Sequence, residues 1–320
     1  MRKRRTTILC VIALCVIVSL AFIPGQKGKR ITVAEINAAI KAKGAGWVAG
    51  ENKFTHWTIE ELKAMMGFFP EEISDIESEY PIKVAGKPSK PPTEPPTGLP
   101  DSFDWRIGGW VTPVRDQGER GICGSCWAFA TVAQLESVIL IHNQTPGPYL
   151  DLSEQFLVSC VTSNYGCGGG GLYNAYNFVR DTGTPDDNCS PYTATDGSCV
   201  SLTPACADSV KQIDGWSRIT GTINTLTNGI KEAVFKNGPV SCGMNVYEDF
   251  FSYVSGCYQH AKGRPLGAHA VCIVGWTPDG CWIVKNSFGD DWGEAGFFNI
   301  KFGSCSIGAS AGTFIYNGSN

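Results

Sequence analysis

The sequence predicts an α+β molecule of two lobes, helical first and strand-rich second, behind a separately built N-terminal piece. Three observations carry this reading. Helical runs cluster in 125–142, 153–160 and 172–181, each opening near a Ser or a glycine loop. After Gly238-Pro239 the chain turns to β-branched and aromatic stretches bounded by turn signals such as Pro278-Asp279-Gly280. Residues 31–90 hold none of the 14 cysteines, unlike everything after residue 120. At 43% hydrophobic and 18% charged, the 320 residues describe a globular chain with real cores, which excludes disorder and collagen-like structure. Net charge is -4, and the one dense basic run is Arg2-Lys3-Arg4-Arg5, so a nucleic-acid footprint is missing.

That basic run precedes an apolar stretch over 8–23 with small residues at Ser19 and Ala21. It predicts an export signal cut after Ala21; an uncleaved membrane anchor is the alternative, because the stretch approaches the lower limit for spanning a bilayer. Both place the body of the chain in the secretory pathway or beyond, where cysteines form disulfides. The four scattered histidines do not supply zinc-finger spacing, and nothing calls for a metal or cofactor. Removing Cys10 and Cys15 with the leader leaves 14 - 2 = 12 cysteines, and reserving one as a thiolate leaves an odd number. At least one further thiol is therefore expected to be free in a monomer.

Taken in order, the elements begin with two short helices. Capping boxes Thr32-x-x-Glu35 and Thr58-x-x-Glu61 stand before Ile36 and Leu62. Next comes a proline-rich tether over 86–100, whose prolines impose an extended, solvated backbone open to proteolysis. The three helical runs follow, then a helix over about 228–236 stopped by Asn237-Gly238-Pro239. Strands are expected over 239–246, 269–275, 281–286, 296–302 and 313–316, with no internal repeats.

Chemistry concentrates at Cys126, in Gln117-Gly-Glu-Arg-Gly-Ile-Cys123-Gly-Ser-Cys126-Trp127. Cys126 falls on the first turn of a helix, where unpaired N–H groups favour thiolate over thiol. A Cys123–Cys126 redox pair is the competing reading, but that motif needs a strand before it, and here glycine loops precede. Cysteine-nucleophile acyl transfer also needs an imidazole base and a group to hold it. His56 lies before the tether, and His142 lies 16 residues from Cys126 along one helix, about 24 Å at helical rise. Of His260 and His269, His269 is favoured because it opens a strand whose hairpin partner ends at Asn286.

These residues, Cys123-Gly-Ser-Cys126-Trp127 with His269-Ala-Val and Lys285-Asn-Ser downstream, resemble the papain family of cysteine peptidases, and most of all its cathepsin B branch. Leu99-Pro-Asp-Ser-Phe-Asp-Trp-Arg106, Tyr165-Gly-Cys-Gly-Gly-Gly170, Tyr247-Glu-Asp-Phe250, Gly256-Cys-Tyr-Gln-His260 and Trp292-Gly-Glu-Ala-Gly296 extend the likeness. The resemblance implies a papain-like two-lobed fold: a helical left domain over about 115–220 carrying Cys126, and a β-barrel-like right domain over about 221–320, joined by the mature N-terminus, carrying His269 and Asn286. It implies a thiol endopeptidase, monomeric, acting on protein or peptide substrates. Cys126 would attack, His269 would shuttle the proton, Asn286 would orient the ring, and Gln117 with the Cys126 N–H would stabilise the oxyanion. Gly169 and Gly170 would bind substrate backbone; Leu172, Ala270 and Ser310 would line an apolar P2 pocket, and Trp292 joins the substrate-binding set.

By the same resemblance, residues 1–23 are signal or anchor, 24–97 a prosegment that inhibits its own enzyme until the tether is cut near 95–100, and 98–320 the mature peptidase. The enzyme would be secreted or held in a lysosome- or vacuole-like compartment. Implied disulfides are Cys123–Cys167, Cys160–Cys199 and Cys189–Cys206, then Cys272–Cys281 and Cys257–Cys305, leaving Cys242 as a buried thiol. Cathepsin B trims C-terminal dipeptides with a histidine pair on an inserted loop; the corresponding stretch 189–206 holds no His, so endopeptidase action is expected. Two departures stand out. Glu119, Arg120, Gly121 and Ile122 intervene where the family has one residue, and Phe288 replaces the Trp that shields the His–Asn bond.

Overall fold

The structure, a computed structural model, describes residues 30–70 and 98–318. The expected signal or anchor and most of the proline tether lie outside those residues. In chain order the elements are α1 (Val33–Lys43), β1 (Trp47–Ala49), α2 (Ile59–Ala64), β2 (Phe103–Asp104), α3 (Cys126–Asn143), α4 (Glu154–Cys160), α5 (Leu172–Asp181), α6 (Pro204–Asp208), β3 (Gly215–Arg218), α7 (Ile223–Asn237), β4 (Val240–Tyr247), β5 (Tyr253–Tyr258), β6 (Pro265–Trp276), β7 (Cys281–Lys285), β8 (Phe297–Lys301) and β9 (Ala309–Ile315). No helix among the described residues is long and apolar enough to cross a membrane.

Local chemistry explains the helix starts. Thr32 and Thr58 accept from the N–H of Glu35 and Glu61, whose carboxylates return the bond, so both capping boxes close. Helix α3 is buried from Cys126 to Leu140 and shows no polar stripe, because the lobes enclose it on all sides. Helix α7 starts at Ile223, five residues before the expected 228: Thr222 sits extended at its N-cap, and Gly229 inside the helix had masked the periodicity.

The strands join as β1-β5-β8-β7-β6-β4-β9-β3, with β2 paired to β6. Strand β6 begins at Pro265 rather than 269, held along its length by β4, from Tyr247 opposite Pro265 to Val240 opposite Ile273. The short strands β3 and β5 carry weak local signals and exist through their partners, β9 for one and β1 and β8 for the other. Two large apolar cores and one small cluster, of Ala133, Cys272, Val274 and Ile283, result among the described residues. Of the large cores, one fills the barrel with Phe250, Trp276, Trp282, Phe288, Trp292 and Phe298; the other lies under α3 with Trp127, Leu135, Leu157 and Tyr176.

The N-terminal piece is built onto the barrel lobe. Strand β1 extends the sheet by pairing antiparallel with the edge strand β5, and Trp47 packs on Tyr258 at 4.9 Å between ring centres. Lys53 reaches Asp116 and Asp291, each at 2.7 Å, and the Ile31 N–H donates to buried Glu248 at 2.8 Å.

Disulfides join Cys123 to Cys167, Cys160 to Cys199 and Cys189 to Cys206. The last two implied pairings are overturned: Cys257 is bonded to Cys281, while Cys272 and Cys305 are free thiols beside Cys242 and Cys126. Strand register is the reason. In the β6–β7 hairpin Cys272 faces Lys285, far from Cys281 at the turn end. Strand β8 lies between β5 and β7, where Cys257 faces Asn299 and Cys281 faces Lys301, so both cysteines flank one short stretch. Cys305 turns instead toward the backbone N–H of His260, near Asp249.

Candidate active site

Helix α3 carries Cys126 as its first residue, fully buried where the helical lobe meets β6. The Ala270 N–H points at its sulfur from 3.4 Å, and the Trp127 and Gly67 N–H groups are directed at it too. His269 lies on β6 opposite Met244, next to Ala270, and Asn286 follows the last residue of β7. The hairpin thus sets imidazole and amide side by side, with His269 Nε2 2.7 Å from Asn286 Oδ1. An amide oxygen only accepts, so Nε2 carries the proton and the neutral ring leaves Nδ1 as its base. Nδ1 is buried without a hydrogen-bond partner in the described structure. Phe288 stacks on His269 at 4.8 Å and 28°, fully buried, and covers the His–Asn bond as the missing Trp would.

The helix N-terminus was expected to favour the thiolate. In this covered form burial prevails: it pushes Cys126 up to about 11 against the N–H groups that stabilise the anion. Burial also brings His269 down to about 4, opposed by its bond to Asn286. Thiol and imidazole are both neutral here.

What covers them is residues 65–69, which cross the cleft. Gln117 donates from Nε2 to the Met65 carbonyl at 3.0 Å and to the Cys123 carbonyl at 2.8 Å, while its Oε1 accepts from Ser287 at 2.7 Å. Residues 119–122 bulge to the exposed surface and leave this amide in place. Gly170 donates to the Gly67 carbonyl at 2.8 Å and accepts from the Phe69 N–H at 3.0 Å, forming a parallel bridge. At Gly67 a Cβ would fall 1.7 Å from the Gly124 carbonyl oxygen, so only glycine passes this close to the sulfur. The Phe68 ring packs in one buried cluster with Leu172 and Ala270, and a Cβ on Gly243 would meet it at 2.0 Å. Gly169 faces Gly67 and the Phe69 ring. Ser310, half-buried, follows Ala309, which pairs with Gly243.

Trp292 lies away from the cleft residues. It is fully buried in the barrel, bonds the Phe251 carbonyl at 3.2 Å and packs edge-on under Phe288, and so supports the ring that touches His269. Sequence reasoning missed Phe68 and Tyr192. The apolar run Met65-Met66-Gly67-Phe68-Phe69 before the tether was the available signal for the first, since an exposed spacer has no use for it.

Residues 99–314 match the papain family cysteine protease profile. The chain belongs to that family. It is 35% identical over 264 residues to a cathepsin L-like proteinase of Fasciola hepatica, covering 79% of this chain and 73% of that protein. With cathepsin B-like CP3 of Giardia intestinalis it shares 34% identity over 283 residues, 84% of this chain and 88% of the other. Its structure is similar to digestive procathepsin L2 of Tenebrio molitor larval midgut, with a TM-score of 0.70, 30% identity and 88% of each chain covered. This papain-family peptidase is therefore an α+β hydrolase with a prosegment, seen in its zymogen form.

Proposed function

We propose that the trimmed chain is a cysteine endopeptidase in which Cys126, His269 and Asn286 act as a triad. With residues 65–69 gone, water and substrate reach the sulfur, desolvation is relieved, and the helix N-terminus together with the neighbouring N–H groups draws the proton from Cys126 to His269 Nδ1. The thiolate adds to the peptide carbonyl, whose electron pair moves onto oxygen and is held by Gln117 Nε2–H and the Cys126 N–H. The tetrahedral centre collapses as His269 hands its proton to the departing amine, leaving a thioester; water, deprotonated by His269, then releases the acid and restores the thiol. Asn286 fixes the ring, and Phe288 keeps water from that bond.

One observation carries this reading: the Met65 carbonyl oxygen accepts from Gln117 Nε2 at 3.0 Å while the Gly67 N–H is directed at the sulfur. A backbone carbonyl lies where the reaction would place its oxyanion, in a chain that is not cut. Direction supplies the reason. A substrate's P2 residue precedes the attacked carbonyl, whereas Phe68, in the proposed P2 pocket of Leu172, Ala270, Gly243 and Ser310, follows Met65. Residues 30–70 thus fill the cleft in reverse and act as the inhibitor, and apolar P2 side chains are preferred. The chain is exported through its N-terminal segment, as its four disulfides suit.

The test pairs an internally quenched peptide having Phe or Leu at P2 with a thiol-directed epoxide. Trimmed enzyme should cut the peptide internally, lose activity to one equivalent of epoxide, and lose it also in Cys126→Ala. Full activity in Cys126→Ala rejects the triad, and release of C-terminal dipeptides alone rejects the endopeptidase reading.

A further inference from the structure

Tyr192 lies outside the triad and the pockets, yet its hydroxyl joins the two chain segments that form the oxyanion site. It donates to the backbone carbonyl of Gln117 at 2.8 Å and lies 2.7 Å from Ser125 Oγ. A phenol has one proton, and Gln117 takes it, so Ser125 must be the donor in the second bond. Ser125 is the N-cap residue of α3, but its side chain makes no cap bond; the hydroxyl serves Tyr192 instead. Burial also pushes the Tyr192 phenol upward, so it remains a donor across the working pH range.

The loop that presents Tyr192 is itself fixed. The Cys189–Cys206 disulfide lies just before it, Ser153 Oγ donates to the Ser190 carbonyl at 2.6 Å, and the Thr193 N–H donates to Gln155 Oε1 at 3.0 Å. The ring meets Phe129, one turn into α3, edge-on at 4.8 Å between centres. A rigid arm therefore reaches Gln117 and Ser125 at once. The need for one is visible in this chain: five residues, Gly118 to Ile122, separate Gln117 from Cys123, the last four of them exposed. A longer link between the donors sets their spacing more loosely, and the phenol closes the gap from the other side.

We propose that Tyr192 is a positioning residue for the oxyanion hole, holding Gln117 and the first turn of α3 at the separation a tetrahedral intermediate requires. It rests on the peptidase reading above. Oxyanion donors act on the transition state, so loosening them should lower kcat and leave KM nearly unchanged. The test is Tyr192→Phe in the trimmed enzyme, which keeps the ring against Phe129 and removes only the hydroxyl.

Three readouts separate positioning from mere loop anchoring. kcat should fall roughly tenfold with KM within about twofold, less than the loss of a donor itself. Affinity for a peptide aldehyde, whose hemithioacetal oxygen occupies the hole, should weaken in parallel, while alkylation of Cys126 by iodoacetamide, which forms no oxyanion, stays within about twofold. Gln117→Ala with Tyr192→Phe should be no slower than Gln117→Ala alone. Ser125→Ala, which breaks one of the two bonds, should give a smaller loss of the same kind and serves if Tyr192→Phe does not fold. Unchanged kcat, alkylation falling in step with hydrolysis, or additive losses in the double variant overturns the inference while leaving the peptidase reading intact. A wild-type trimmed chain that cuts no peptide overturns both.

Discussion

With Cys126 replaced by Ala, acid should loosen the prosegment through His269. In the covered form burial holds this imidazole down to about 4, whereas in trimmed Cys126→Ala enzyme, with no thiolate to hold its proton, the uncovered ring titrates near its ordinary value of 6.5. The covered state's depressed pKa means its advantage is complete above 6.5 and is lost as pH falls toward 4, because the open state then gains a proton the closed state refuses. Integrating between those two values costs prosegment binding about 2 kcal/mol at pH 5 and about 3 kcal/mol at pH 4, the first being roughly a thirtyfold weaker Kd. The assay is calorimetric titration of residues 30–70, as a peptide, into trimmed Cys126→Ala enzyme at pH 7, 6 and 5, in two buffers of different ionisation enthalpy. Near pH 5.5 binding should release close to one proton, and His269→Gln should remove that proton and most of the pH slope while leaving the contributions of other groups. A slope that His269→Gln does not alter would refute the reasoning.

Other consequences concern packing. Phe68→Ala empties a buried aromatic site and should weaken prosegment binding by about 3 kcal/mol, seen as raised background activity of the full-length chain in the presence of an uncut tether. Gly243→Ala puts a Cβ where the Phe68 ring now lies, so the trimmed variant should lose P2 Phe substrates far more than P2 Val or Ala ones in kcat/KM profiling; an unchanged ratio places the P2 pocket elsewhere. Cys257→Ser with Cys281→Ser opens a link spanning 24 residues and should cost about 3 kcal/mol in denaturant unfolding, whereas Cys272→Ser with Cys305→Ser should leave the unfolding transition without a loss of loop closure.

What was legible in the sequence was local. Cys126 at a helix start and the pairing of His269 with Asn286 follow from periodicity and one hairpin, because each is settled within a few residues of itself. The barrel's remaining order is not local. Strand β5 lies between β1 and β8, which are more than 200 residues apart in sequence, so neither its existence nor the Cys257–Cys281 bond had a nearby signal. The sulfur's state in the covered form is not local either: the helix terminus is read from adjacent residues, while the burial that outweighs it exists only once residues 65–69, far upstream, cross the cleft. Tyr192 went unnoticed because a tyrosine in a loop is marked only by its two distant partners, Gln117 and Ser125.

The central claim is that one sulfur forms a covalent acyl bond and that residues 65–69 keep substrate from it. Intact-mass measurement after brief exposure to a peptidyl active ester with Phe at P2 tests both halves together. A single acyl adduct, mapped to Cys126 in trimmed protein and missing from the full-length chain and from trimmed Cys126→Ala, is the predicted result. An adduct on Cys272 or Cys305 with peptide hydrolysis retained, or equal labelling of Cys126 with the prosegment in place, would contradict it.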